Sequence, residues 1–226
     1  MRASNGVAET EPGKSVDMPV IENDAAPLSP GAWVDLAAFD RSGFAYGRSR
    51  RWVQLWRWAD TLLFRHSPTL LFGWRRWLLR VFGAKIGRGV RIWPRVRVHL
   101  PWKIEIGDHS VVGEEAWLYS VDRIRIGRHC SVSQKTVLCT ASHDPAHARF
   151  RTTTGPIVIE DGAWVAMDCF VAPGVTIGAN TVVGARSTVL KSLPPGKICF
   201  GHPCEVRKDR VIVKQERSTN GPANPT

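Results

Sequence analysis

Acidic side chains are almost missing from residues 41–103, where Asp60 stands alone against fifteen lysines and arginines, a local charge of +14. The whole chain carries +11, so the remainder sums to −3 and the basicity belongs to one segment. A nucleic-acid protein carries its positive charge on its binding domain, and this distribution argues against a nucleic-acid partner. Long apolar runs are missing as well. No stretch reaches the roughly 18 uncharged apolar residues that a membrane-spanning helix needs. No apolar run follows a basic start at the N-terminus either, so no secretory signal is visible and a cytoplasmic location is expected. Cysteines number only five. An odd set does not suit a disulfide framework, which again points to a reducing compartment.

What the chain has is a metre of six. Counting from Ile159 in sixes gives Val165, Val171, Ile177, Val183 and Val189, β-branched aliphatics without a miss. Neither the helical period of about 3.6 residues nor strand alternation produces that spacing, and β-branched residues favour extended backbone. Two residues before these aliphatics stand Ala163, Cys169, Val175, Thr181 and Ser187, all of small or modest size. One large inward residue, one small inward residue and a Gly- or Ala-bearing turn describe one flat face and one corner of a prism. Three such hexads make one turn of a parallel β-helix. The same metre runs earlier through Ile86, Ile92, Val98 and Ile104, then Ile106, Val112, Leu118 and Ile124, then Ile126, Val132 and Leu138. Each slip of two residues falls at an equivalent place, so the coils have eighteen residues plus a two-residue insertion at one corner. Trp93, Trp102 and Trp117 fall outside the inward register and are expected to face the helices, a ligand or another subunit.

After Leu138 the metre stops until Ile157. Residues 139–156 therefore form an extruded loop, and function concentrates on loops held by rigid scaffolds. The loop carries Ser142-His143-Asp144-Pro145 and His147. His143 is the candidate general base, with the neutral-range basicity of an imidazole; a turn-capping role is the alternative. Asp144 either orients that imidazole, binds hydroxyls of an acceptor, or forms an Asx-Pro turn. Gln134 and Lys135 sit at outward positions of the preceding coil and are placed to contact an acceptor. Cys139, four residues before His143, is weighed as a nucleophile. His143 and His147 are weighed as zinc ligands, but a third histidine is not evident nearby, and no metal is expected.

Residues 49–66 place Trp52, Leu55, Trp56, Ala59, Leu62 and Leu63 at helical spacing, opposite Arg50, Arg51, Gln54, Arg57 and Asp60. Ser67-Pro68 interrupts, and residues 69–82 resume with Leu70, Leu71, Trp74, Trp77, Leu78 and Val81 against Arg75, Arg76 and Arg80. Residues 49–82 thus read as an amphipathic helical hairpin that caps the first coil, or lies on an anionic membrane surface, or both. Residues 1–48 read as a mostly disordered arm, 83–206 as the β-helix domain and 207–226 as a C-terminal tail. The fold class is mainly β, with disordered termini.

The hexads, together with Cys139-Thr-Ala-Ser-His-Asp-Pro145, Pro173-Gly-Val-Thr-Ile-Gly178, Val183-Gly-Ala-Arg-Ser187 and Gly201-His-Pro-Cys204, resemble the hexapeptide-repeat acyltransferases over residues 83–206. Within that family they look most like the sugar O-acetyltransferases of colanic acid and similar exopolysaccharides. The resemblance implies a left-handed parallel β-helix, a homotrimer with sites between subunits, and acetyl-CoA as co-substrate. It implies an acetyltransferase acting on a sugar or lipid-linked glycan, with His143 as the base that lets a hydroxyl attack the thioester directly. It also implies a cofactor groove lined by Trp164, Ala166, Gly184 and Ala185, with Lys191, Arg207 and Lys208 meeting phosphates. Two positions depart from the family pattern: Lys135 stands where relatives often have Asn, and Glu205 where they carry a basic residue. The reading from another class is a non-catalytic trimeric scaffold or a membrane-docked assembly module.

Overall fold

The structure is a computed structural model, and it describes residues 33–40 and 44–213. Three parallel sheets form a prism, a left-handed β-helix. The first face stacks Lys85–Ile86, Ile104–Ile106, Ile124–Ile126, Ile157–Ile159 and Thr176–Ile177. The second stacks Arg91–Ile92, Val111–Val112, Ser131–Val132, Trp164–Val165, Val182–Val183 and Lys197–Phe200, and the antiparallel strand Glu205–Asp209 closes its end. The third stacks Arg97–Val98, Trp117–Tyr119, Val137–Cys139, Phe170–Val171 and Thr188–Val189.

The register puts like on like. Ile86, Ile106, Ile126, Ile159 and Ile177 form one buried ladder. Ile92, Val112, Val132, Val165, Val183 and Cys199 form the second, and Val98, Leu118, Leu138, Val171 and Val189 the third. Between the ladders the small inward positions include buried hydroxyls that serve the corners. Ser110 donates to the Gly127 carbonyl at 2.7 Å, Thr136 to Ala166 at 2.8 Å and Ser187 to Gly184 at 2.7 Å. Each buried polar group is thereby satisfied within one coil spacing.

Corners impose a second rule. Between the second and third faces Arg95, Glu115, Lys135, Asp168 and Arg186 all have φ between 57° and 60°. That left-handed conformation is one Asn tolerates better than Lys, so Lys135 stands at a corner whose backbone would favour Asn. Between the first and second faces His109 and His129 take the same conformation, with rings stacked 5.2 Å apart. The insertions all fall at the remaining corner, between the third and first faces, where the turn Pro101–Lys103 and the long loop both lie.

The cap consists of α1 (Arg50–Ala59), a π-helical turn over Asp60–Phe64, and α2 (Phe72–Val81). It buries only part of the stripe that the spacing predicts: Trp56, Ala59 and Leu78 are buried, and Trp52 and Trp74 pack against the core. Val53, Trp56, Ala59, Asp60 and Phe64 are buried from the first helix, whereas Leu55, Leu62 and Leu63 are at least half exposed. Val53, Trp56, Asp60 and Phe64 recur at ordinary helical spacing, so the buried stripe is turned about one position from the expected one and takes in Asp60 and Phe64. In α2 the inward residues are Arg75, Leu78 and Leu79, while Leu70, Leu71, Trp77 and Val81 face out.

Arg75, expected on the polar side, is fully buried and ties the cap to the coil. Its guanidinium donates to the carbonyls of Ile92 (2.6 Å), Pro68 (3.0 Å) and Thr69 (2.6 Å) and to Ser67 Oγ (2.8 Å). Trp56 adds an indole bond to the Val98 carbonyl at 2.9 Å. The arm before α1 is ordered where it is described, contrary to a disordered reading up to residue 48. Trp102 donates to the Tyr46 carbonyl at 2.6 Å, and Lys103 to that of Ala45 at 2.8 Å. Composition does not reveal these bonds, because their partners lie more than fifty residues away; the disordered readings of residues 1–32 and 214–226 lie outside the described residues.

Arg75→Met leaves several buried carbonyls unpaired, and by the usual cost of such groups it should destabilise the fold by about 3 kcal/mol or more. Urea unfolding followed by far-UV dichroism reads this directly, and an unchanged midpoint would refute the anchoring role.

Candidate active site

The extruded loop is a β-hairpin. Ala141–His143 pairs antiparallel with Thr152–Thr154, and His143 lies opposite Thr152. The half-buried His143 ring stacks on Phe150, with centroids 4.2 Å apart and planes 11° from parallel, and Phe39 approaches it at 5.6 Å. Its Nδ1 is 3.2 Å from the Phe150 carbonyl oxygen. A carbonyl only accepts, so Nδ1 carries the proton, and in the neutral ring the lone pair then belongs to Nε2. That is the tautomer a general base needs.

The arm braces this hairpin. Asp35 N–H donates to Ala148 at 2.8 Å, Asp40 N–H to Arg149 at 2.9 Å, and Arg149 Nε returns a bond to Ala38 at 2.8 Å. Sequence reasoning missed residues 33–40 altogether. Phe39 was their only signal, and nothing local says what it packs against.

Asp144 serves its turn: Oδ1 accepts from Ala146 N–H at 2.9 Å. Of the roles weighed for it, the turn is the one that has a bond. His147 Nδ1 accepts from Arg149 N–H at 3.2 Å. Cys139 Sγ donates to the Ala141 carbonyl at 3.1 Å, which directs its proton to backbone rather than to an imidazole. Among the other cysteines, burial pushes the thiols of Cys130, Cys169 and Cys199 up and that of Cys204 to about 11. None of these four is an activated nucleophile. Among the described residues no three His, Cys, Asp or Glu side chains gather as a metal site.

The remaining candidates lie elsewhere on the prism. Exposed Gln134 and Lys135, buried Ala166, and Gly184 and Ala185 stack along the corner between the second and third faces. The stacking is direct, with Asp168 N–H bonding to Gln134 at 3.0 Å and Arg186 N–H to Met167 at 2.9 Å. Trp164 is outward on the second face, 45% exposed, and its indole donates to Ser133 Oγ at 3.1 Å. A Cβ on Gly184 would come within 2.8 Å of Phe200 Cβ, so this glycine has a packing reason of its own. Lys191 and Lys208 are exposed. Arg207 lies over the Phe200 ring at 5.3 Å and pairs with Glu205 at 3.2 Å. The departure at Glu205 thus occupies a cation expected to be free for phosphate. His143 rises from the opposite corner of the third face, so within one chain the base and the corner column are not brought together.

A family model for the bacterial transferase hexapeptide (six repeats) matches residues 156–191. WcaF of Escherichia coli K12, named for acetyl transfer in colanic acid biosynthesis, is 49% identical over 178 residues, covering 78% of this chain and 97% of its own. The chain belongs to the hexapeptide-repeat acetyltransferases. Among solved structures, an acetyltransferase of this family from Vibrio cholerae in complex with acetyl coenzyme A matches with a TM-score of 0.64 at 28% identity. That match covers 72% of this chain and 87% of the other. A galactoside acetyltransferase in complex with coenzyme A matches with a TM-score of 0.65 at 25% identity, over 78% and 91% of the two chains. Family membership accounts for the three-sided column and its single long hairpin.

The tautomer in this acetyltransferase can be read without turnover. Long-range proton–nitrogen NMR should show His143 protonated at Nδ1 with an unprotonated Nε2. The opposite tautomer would rule out the bond to Phe150.

Proposed function

We propose that the protein transfers an acetyl group from acetyl-CoA to a hydroxyl of a sugar or exopolysaccharide unit, in one direct step with His143 as general base. The observation that carries this reading is the Nδ1 bond to the Phe150 carbonyl, which leaves Nε2 to take the hydroxyl proton as the oxygen attacks the thioester carbonyl. The thioester supplies a thiolate leaving group, so little else is demanded of the protein beyond orientation and stabilisation of the oxyanion. The corner column suits the carrier: Ala166, Gly184 and Ala185 leave the backbone open to an extended arm, and Trp164 offers an exposed indole beside it. Lys191 and Lys208 are unburied cations for its phosphates, with Arg207 shared with Glu205. Gln134 and Lys135 head the same column as candidate acceptor contacts, and Asp144 shapes the turn beside the base.

A complete site needs a second chain. His143 and the corner column lie at opposite edges of the third face, so an imidazole from one subunit facing the column of the next is the arrangement that unites them. A homotrimer with three such sites is the assembly we propose, with each site lying between two subunits.

The cap supports a further partner, an anionic membrane surface that would carry a lipid-linked acceptor. Trp58, Leu62, Leu70 and Trp77 are 52–86% exposed, and Arg50, Arg51 and Arg80 are exposed on the same hairpin. Apolar side chains rimmed by arginine are what an interfacial helix presents to anionic lipid. No helix among the described residues is long and apolar enough to cross a membrane.

His143→Ala should lower turnover by about 10²–10⁴-fold, the usual contribution of a general base, while size-exclusion chromatography shows the oligomer unchanged. Surviving turnover would mean that another group takes the proton. Co-sedimentation with anionic vesicles should be strong at low salt and fall as salt screens the arginines. Leu62→Ser with Leu70→Ser should abolish it, and absence of binding by the wild-type chain would leave the hairpin only its capping role.

A further inference from the structure

A cavity of about 310 Å³ opens between the cap and the third face, its walls including Trp56, Arg57, Asp60, Arg97, His99 and Trp117. Two of these residues each carry a buried polar atom without a hydrogen-bond partner among the described residues: Asp60 Oδ1 and His99 Nε2. The Asp60 side chain is only 7% exposed, and its other oxygen is held by Arg65. Such orphans are rare in folded proteins, and each costs about 1–3 kcal/mol. Two in one cavity point to an absent partner.

The character of both atoms narrows that partner. Burial, followed by the repulsion of Arg57 and Lys103, lowers His99 to about 4, so the ring is neutral and Nε2 either donates or accepts according to tautomer. Burial raises the Asp60 carboxyl above its ordinary range, and its oxygen likewise accepts when ionised and donates when protonated. A hydroxyl group, itself donor and acceptor, satisfies either form. Two further features add charge and apolar contact. Arg57 and Arg97 line the cavity, Arg97 with its guanidinium 5.9 Å from the centre of the Trp117 ring and near enough to Asp60 to attract its carboxylate, and Trp56 and Trp117 make apolar walls, Trp117 being 37% exposed. The volume lies at the lower end for small-molecule sites and suits a single ring.

We infer that this cavity is a binding subsite for a hexose unit bearing one anionic group, its hydroxyls meeting Asp60 and His99 and its charge meeting Arg57 and Arg97. The inference rests on the glycan-acceptor reading and extends it. The cavity lies on the third face, where Trp117 contacts Tyr119 at 5.1 Å and Tyr119 is in register with Cys139, the last residue of the strand from which the His143 hairpin departs. It would therefore hold a neighbouring unit of the acceptor rather than the unit acetylated. Asp60 explains its own singularity here: the lone acid of the basic segment stands on the wall of this cavity.

Calorimetric titration of the full chain with glucose, glucuronate and glucose 1-phosphate tests it. At least one anionic sugar should bind tenfold or more tighter than glucose, and the better of the two identifies the anion as carboxylate or phosphate. Arg97→Gln and His99→Phe should each weaken that binding about tenfold or more, with far-UV dichroism unchanged, and Arg97→Lys should restore part of it. Equal binding of all three sugars, no binding to the wild-type chain, or indifference to both substitutions would overturn the subsite. His143→Ala should lose turnover yet titrate as the wild type does. If Arg97→Gln binds normally while His143→Ala is inactive, the subsite falls and the acetyl-transfer reading stands; the reverse pattern removes the base and keeps the subsite.

Discussion

Stacking three ladders of aliphatic side chains inside a prism leaves the chain very little freedom anywhere else. Each two-residue strand of the second and third faces contributes one inward aliphatic and one outward residue, and every corner between them must accept a fixed turn, often with a left-handed residue. Chemistry therefore has only two places to reside, on outward columns repeated at each coil or in segments inserted where a corner tolerates length. This protein uses the corner between the third and first faces for insertion, first with short turns and then with the His143 hairpin. The insertions do not disturb the ladders, because Ile104, Ile124 and Ile157 begin the next face in register. A rigid column thus holds a long hairpin at constant position, which is what orienting an imidazole demands.

The cap obeys a different logic. A coil end exposes both an apolar cross-section and unpaired carbonyls, and a purely apolar helix would cover only the first. Arg75 and Trp56 cover the second, donating to Ile92 and Val98 of the first coil while Leu78, Leu79 and Phe64 fill the cross-section. Placing an arginine inside pushes leucines and tryptophans out. The apolar outer surface of the hairpin is a consequence of how the coil end is satisfied, and it is available for use.

The same contrast between column and cap separates the parts of the fold that were legible in the sequence from those that were not. The hexads were legible because inward packing repeats at fixed intervals and tolerates few residue types, so Ile159 to Val189 declared the column without help. The hairpin was legible as a break in that metre, and His143 as an imidazole within it. The orientation of the ring was not, since it depends on Phe150 seven residues later and on Phe39 over a hundred residues earlier. The buried side of α1 and α2 was only partly read, because several leucines and tryptophans were assigned to the core on hydrophobicity alone, and because an arginine is scored as polar wherever it lies. His99 gave no signal, and Asp60 only that of a lone acid in a basic segment; their convergence on one cavity is visible in the structure alone.

Separation across the third face carries one more consequence. Were base and carrier column on one corner, a monomer could in principle close its own site, and assembly would be a matter of stability alone. With the whole face between them, a chain in isolation presents an imidazole to solvent at one corner and a column of small residues at another. Activity on the proposed reading is then tied to assembly, because no rearrangement short of unwinding the coils moves His143 to the corner of Gly184. The rigidity that orients the base within its hairpin also prevents the chain from completing the site alone.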